Sequence, residues 1–236
     1  MQALLASDAF RDIAHTATVA RGRVWEVLAS LVEEKSVDLI VVGTHGRRGL
    51  KKLVLGSTAE QVFRLARCPV LTVGPHTKKQ DVPLATIAPI LFATDFSLGS
   101  RHALPYALSL ARANHSRLIL LHAVAPIMRF VTAAVDTEPV NMEITAELTA
   151  EALASARQQM SQLISAEMKQ ESEPEVIVEC GTPAETILRI AASKQAGLIV
   201  MGAHRASLHL VASHVPWATA SAVVCEAPCP VLTVRS

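Results

Sequence analysis

Immediately after the aliphatic run Leu39-Ile40-Val41-Val42, the chain reads Gly43-Thr44-His45-Gly46, then nine residues, then Gly56-Ser57-Thr58. Glycines at 43 and 46 permit positive φ and let a backbone approach a ligand closely. Gly56 removes a Cβ where a helix N-terminus would turn its free N–H groups outward, and Ser57 and Thr58 add hydroxyl donors there. Such a loop suits a polyphosphate, with Val42, Gly43, Thr44, Gly46, Gly56, Ser57 and Thr58 as candidate contacts. Arg47, Arg48, Lys51 and Lys52 form a basic cluster on the same loop. It reads either as a solvated face or as phosphate attraction, and Arg47, next to Gly46, joins the candidate set. Neither a Walker A pattern nor G-x-G-x-x-G occurs, which removes support for an ordinary P-loop or dinucleotide fingerprint.

Other reactive residues carry less. Asp95 ends an apolar run and reads as a turn cap or as a binding carboxylate. His45 and His204 occupy one repeat position beyond a strand, where a ligand contact competes with simple solvation. His204, His209 and His214 stand five apart, which matches neither the helical i, i+4 metal pair nor a tight chelate. Cys225 and Cys229 lack a partner pair for zinc, and Cys68 and Cys229 each precede a proline at the start of an apolar run, where cysteine ordinarily fills space. No nucleophile–base pair or general base accompanies the glycine loop, so no catalytic residue is assigned and enzymatic hydrolysis is the weakest reading.

The elements that position these residues come as a repeat. Gly22, Glu26, Lys35, Leu39, Ile40, Val41, Gly43 and His45 recur 159 positions later as Gly181, Glu185, Lys194, Leu198, Ile199, Val200, Gly202 and His204. Cys68-Pro69-Val70-Leu71-Thr72-Val73 recurs at Cys229–Val234, an offset of 161, so the second copy holds two extra residues. The polar segment Gly74–Thr86, with two prolines and no periodicity, reads as a linker. The expected domains are therefore residues 1–74, an incomplete copy, and residues 87–236, a complete one, joined by residues 75–86. Subtracting 159 from Ile87 places the first copy's start near −72, so about seventy of its residues are expected to be missing: either the natural chain begins earlier, the favoured reading, or the fragment closes its sheet by rearranging against the second copy or a second chain.

The complete copy alternates short aliphatic runs with helical patterns. Strands are expected at Ile90–Thr94, Arg117–Val124, Glu175–Glu179, Leu198–Met201 and Val231–Val234. Helices are expected at Ser100–Asn114 with Ser100 as N-cap, at Thr145–Glu171, after Pro183, and at Ala218–Glu226. The first copy offers a helix tail at Gln2–Phe10, a strand at Thr16–Ala20, a helix at Val24–Lys35, a strand at Leu39–Val42, a helix at Thr58–Arg67 and a strand at Val70–Val73. Alternation of this kind implies an α/β fold with a parallel sheet covered by helices on both faces. The two Val-Leu-Thr-Val strands are edge strands whose open backbone groups must be paired or blunted, and they are expected to pair with each other.

Half of the 236 residues are hydrophobic, yet only eight are aromatic, which suits aliphatic parallel strands buried on both sides. With 22 basic and 21 acidic residues the net charge is +1, so no electrostatic footprint for nucleic acid exists. The apolar stretch Leu118–Val135 is broken by His122, Pro126 and Arg129 and falls short of a membrane span. Without a visible signal segment, a cytoplasmic location is expected.

The spacing G-x2-G-x9-G-S, its strand–loop–helix context and the CPVLTV strand resemble the universal stress protein family over nearly the whole chain. The run Ile90-Leu91-Phe92-Ala93-Thr94-Asp95-Phe96-Ser97 also resembles the family's first strand. The resemblance implies a flavodoxin- or Rossmann-like five-stranded sheet and dimerisation through the last strand. It also implies a regulatory stress-response role, either with ATP bound or independent of nucleotide. In the ATP-binding members the aspartate matched by Asp95 helps to hold the adenosine end. The second copy departs from the pattern: Arg205 stands where Gly46 stood, and Val215-Pro216-Trp217-Ala218 replaces the Gly56-Ser57 region. It has the aspartate without the loop, and the first copy has the loop without the aspartate.

Overall fold

The structure is a computed structural model that describes residues 13–44, 56–77, 88–126, 142–167, 173–203 and 214–235. By contacts the chain divides into two compact units, residues 1–37 and residues 38–236.

The first unit holds one described helix, α1 (Val24–Glu34). Ser36 adopts a left-handed φ of 49° beyond its end. The Val37 N–H then reaches back to the Val32 carbonyl at 3.0 Å, the six-to-one bond that closes a helix C-terminus. The strand expected at Thr16–Ala20 is not there, because residues 14–21 follow an irregular path. Apolar composition cannot make a strand without a ladder partner, and the described part of this unit contains none. The helix expected at Gln2–Phe10 falls outside the described residues.

The second unit runs β1 (Ile40–Gly43), α2 (Ser57–Leu65), β2 (Val70–Val73), β3 (Ile90–Ala93), α3 (Leu98–Ala113), β4 (Leu118–Val124), α4 (Met142–Glu167), β5 (Glu175–Cys180), α5 (Pro183–Ser193), β6 (Leu198–Ala203), α6 (His214–Glu226) and β7 (Val231–Arg235). Its seven described strands form one sheet in the order β1-β2-β7-β6-β3-β4-β5. Strands β3 to β7 are all parallel, as are β1 and β2. This is the α/β architecture that the alternating pattern implies, with the doubly wound order in the complete copy and the end of a second copy added at its edge.

The addition occurs through the strands of near-identical sequence. β2 and β7 pair antiparallel, with Leu71 opposite Leu232 and Val70 and Thr72 opposite Thr233 and Val231. Across this junction Thr72 Oγ1 donates to the Val231 carbonyl at 3.0 Å, and Thr233 Oγ1 donates to the Val70 carbonyl at 3.3 Å. The two bonds exchange under a local two-fold axis through Leu71 and Leu232. Both threonines are buried, so each hydroxyl needs the bond it makes.

The same symmetry extends into the helices. Ala59, Val62, Phe63 and Ala66 at α2 match Ala220, Val223, Val224 and Ala227 at α6, at the offset of 161, and all eight are buried. Most of them share one core with Leu91, Ile119, Ile187, Ile190 and Ile199. A second core fills the opposite face, where Leu104, Ala107 and Leu108 of α3 and Met160 of α4 meet Phe92, Leu120 and Val200. Helix α5 also ends as α1 does, with Gln195 at φ 52° and the Ala196 N–H on the Ala191 carbonyl, 159 positions from the bond in α1.

The N-cap of α3 differs from expectation. It is Ser97, whose Oγ accepts from the Ser100 N–H, while Ser100 lies buried inside the first turn. The helix starts earlier because Asp95 and Ser97 brace the turn before it, as described below. Among the described residues no helix is long and apolar enough to cross a membrane.

Candidate functional site

The glycine loop begins at the carboxyl end of β1 and returns at the start of α2. Its base is closed by one backbone bond: the Gly56 N–H donates to the Thr44 carbonyl at 3.0 Å. The Thr44 N–H in turn donates to the Val73 carbonyl at 3.1 Å, so the loop's exit is tied to β2 as well. Thr44 is 1% exposed. A Cβ on Gly56 would stand 3.2 Å from the Thr44 carbonyl oxygen, so the carbonyl that closes the loop would have to shift by a few tenths of an ångström. Gly56 is the N-cap of α2 and no described side chain caps the helix there, so Ser57 and Thr58 open a helix whose first N–H groups lie beside the loop.

Val42, Gly43, Thr44, Gly56, Ser57 and Thr58 are thus brought to one place. Gly46, Arg47, His45, Arg48, Lys51 and Lys52 belong to the same loop but lie outside the described residues. Neither Gly43 nor Gly56 needs the positive φ that glycine allows: Gly56 has φ −60°, and among the described glycines only Gly22 is in that region. At Gly56 the use is the absence of a Cβ beside the Thr44 carbonyl.

Asp95 is elsewhere. β1 and β3 run in opposite directions because the junction between β2 and β7 is antiparallel. Their carboxyl ends therefore open on opposite margins of the sheet, and four strand spacings, about 19 Å, also separate them. The structure does not bring Asp95 to the glycine loop. Asp95 instead organises its own turn, where its Oδ1 accepts from both the backbone N–H and the hydroxyl of Ser97. Phe96 takes a positive φ of 61°, uncommon for an aromatic residue, and its N–H is held by Thr94 Oγ1. Thr94 Oγ1 donates to Ser100 Oγ, the Thr94 carbonyl meets His122 Nδ1 at 2.8 Å, and the Phe96 ring lies on the His122 ring. Ser97→Ala removes both the N-cap and a partner of Asp95. It is expected to lower stability by about 1 kcal/mol, read as a shift of the urea midpoint at unchanged slope; an unshifted midpoint would show that the turn holds without Ser97.

Next to this turn lies a cavity of about 120 Å³ at the carboxyl ends of β3, β4 and β6, bordered by Thr94, Asp95, Ser100, Ala123, Met201 and Gly202 among others. It sits where the strand order reverses, between β3 and β6, the position at which open α/β sheets take ligands. Of its lining, the sequence offered only Asp95 as a binding candidate, while Gly202 stood out as a repeat position and Ser100 and Pro183 only as helix starts. Thr94, Ser100, Ala123 and Met201 were legible only through the rule that such sites form beyond the first strand. Gly202 has a packing role there: a Cβ would fall 2.4 Å from the Ser100 nitrogen and 2.5 Å from the Gly99 carbonyl carbon.

The two buried cysteines act as filler, whereas Cys68 is half-buried and Cys180 is exposed. Cys225 and Cys229 are buried, and burial pushes the Cys229 thiol up to about 12 despite the backbone hydrogen bond from Ile199. Among the described residues no group of three or more His, Cys, Asp or Glu side chains could hold a metal. His45, His204 and His209 lie outside those residues.

These features define a doubly wound α/β protein with ligand space beyond the carboxyl ends of its strands, extended by the closing elements of a second copy. The model of the universal stress protein family matches residues 2–74 and 86–235. The chain belongs to that family. It is 50% identical to a universal stress protein of Methanocaldococcus jannaschii over 52 residues, 22% of this chain and 31% of that one. A universal stress protein of Mycobacterium bovis is 29% identical over 174 residues, 71% of this chain and 52% of that one. The chain therefore spans about half or less of the length of these relatives. Among solved structures, a universal stress protein from Archaeoglobus fulgidus matches with a TM-score of 0.59 at 23% identity, covering 90% of this chain and 66% of that one. A functionally unknown protein from Pseudomonas aeruginosa matches with a TM-score of 0.63 at 18% identity, covering 99% and 76%. At these identities the structural likeness speaks for the fold.

Proposed function

We propose that this protein is a regulatory, nucleotide-binding member of its family, taking the phosphates of an adenine nucleotide, ATP, on the loop from Gly43 to Ser57. The observation that carries the reading is the closure of that loop by the Gly56–Thr44 backbone bond at the uncapped start of α2. It sets a Cβ-free backbone beside helix N–H groups, the arrangement that favours an anion. The basic residues at 47, 48, 51 and 52 add opposite charge to the same loop. In this reading the ligand regulates rather than being consumed, the protein works in the cytoplasm without nucleic acid or membrane, and its domains are residues 1–74 and 87–236.

Gly46→Arg, which installs the residue that the second copy carries at that position, should abolish ATP binding in isothermal titration by blocking the loop. Ser57→Ala should weaken binding by about 0.5–1.5 kcal/mol, the worth of one hydrogen bond. Unchanged affinity in Gly46→Arg would defeat the reading, and stoichiometric phosphate release would move it toward hydrolysis.

A second reading, a nucleotide-independent interaction module, is favoured by one observation. The paired Val-Leu-Thr-Val strands already form a two-fold junction while Asp95 and the glycine loop face opposite margins. Titration of the parent protein separates the two, since a module of this kind binds no ATP.

A further inference from the structure

One row of side chains crosses the sheet in register: Val41, Leu71, Leu232, Val200, Phe92 and Leu120, one from each of six neighbouring strands. From Leu232 onward the row lies under α3 and belongs to a buried core. Val200 is 0% exposed, whereas Val41, its counterpart at the offset of 159, is 61% exposed. The face that α3 covers over β6 and β7 thus continues over β2, where Leu71 is half-buried against the edge of that core, and over β1, where Val41 is exposed. The alternate residue Val42 packs into the opposite core, so only this face is left open.

The edge is open as well. β6 is paired on both sides, by β7 and by β3. β1, its counterpart, is the end strand of the sheet and pairs with β2 alone among the described residues. In the complete copy the missing cover is a single unit: β3 pairs with β6 from Ile90 opposite Leu198, and the chain then turns into α3, whose first residues press on Gly202. The first copy keeps a glycine, Gly43, where that press would fall.

We propose that the margin formed by β1 and the Val41–Leu71 face is an acceptor for a strand–helix unit of the β3–α3 type. This is an apolar strand laid parallel to β1, followed by a small-residue turn seated on Gly43 and an alanine-rich helix over Val41 and Leu71. Backbone bonds along β1 provide the affinity, and the glycine seat and aliphatic row provide the selectivity. The register has a limit. A Cβ at Gly197 would meet the Ala88 side chain at 2.5 Å, and the first copy carries Asp38 at that position, so the docked strand starts at the counterpart of Ile90. The proposal does not rest on the nucleotide reading, and no nucleotide enters its test.

The test adds a synthetic peptide with the sequence of residues 90–113 to the 236-residue protein and follows amide hydrogen exchange. The peptide should bind at one site and slow exchange of the Ile40–Gly43 amides about tenfold or more. Val41→Lys and Gly43→Val should each weaken binding about tenfold or more, the first by removing an apolar contact and the second by filling the seat. Unchanged exchange at Thr72 and Thr233 in both variants shows that the β2–β7 junction has survived. Absence of protection at β1, or equal binding by the two variants and the parent, would overturn the proposal. So would β1 protection that appears without peptide and grows with protein concentration, because the occupant is then a second copy of the chain.

Discussion

Gly202→Val is expected to destabilise the protein by about 3 kcal/mol, near the upper end of what an overfilled site costs. The Cβ of any residue at 202 would lie 2.4 Å from the Ser100 nitrogen, 2.5 Å from the Gly99 carbonyl carbon and 2.7 Å from its oxygen. All three are backbone atoms in the first turn of α3, so no side chain can swing aside to make room. The helix start must move, and with it the bonds between Thr94, Ser97 and Ser100 that fix the turn from β3. The matching substitution in the first copy, Gly43→Val, falls on an exposed position and should change stability by no more than about 0.5 kcal/mol. Urea unfolding of both variants checks the contrast. Equal midpoints would mean that α3 does not rest on Gly202 as described.

The second large effect is expected at the junction. Leu232 is 4% exposed and faces Leu71 on the two-fold axis between β2 and β7. Leu232→Lys loses an aliphatic contact and places an ammonium among Leu104, Leu108 and Val200 without a partner, at a cost of about 3–5 kcal/mol. Against a usual margin of about 5–15 kcal/mol, the variant should sit close to unfolding and aggregate more readily. Burial disfavours the charged form, so the folded lysine pKa falls below its unfolded value of about 10.4. Between those two values the unfolded chain binds more protons, and stability should rise with pH toward about 10.4. Leu71→Lys, at a half-buried position, should cost less because the side chain can extend to water. A Leu232→Lys protein as stable as the parent at pH 7 would contradict the buried two-fold junction.

The repeat carried most of the legible fold. The offsets of 159 and 161 located β1, β2, β6 and β7, and the identity of Val70–Val73 with Val231–Val234 pointed to their pairing. The two failures have local causes. Thr16–Ala20 has the composition of a strand, but a ladder is a property of two segments and one segment cannot reveal its lack of a partner. Ser100 looked like an N-cap because it precedes the apolar helical pattern. The helix starts earlier because Asp95 and Thr94 hold Ser97 and Phe96 in a braced turn, and no linear pattern records those bonds. For the site, the glycine spacing predicted which residues meet at the base of the loop. It could not show that Asp95 opens on the other margin, which follows from strand direction at a single junction. Nor could it separate two uses of one glycine position: Gly202 seats a helix, and Gly43 stands free of such a neighbour in the described structure.

The β2–β7 junction also changes how the two Val-Leu-Thr-Val strands meet. On separate chains their encounter would depend on protein concentration. Here Val73 and Ile90 are joined by the residues between them, so each terminal strand sees the other at an effective concentration on the order of millimolar, whatever the dilution. A pairing surface too weak to hold two molecules together at cellular levels is thereby held closed within one. Selection on the linked chain can let Leu71 and Leu232 drift toward weaker contacts that two separate subunits could not tolerate.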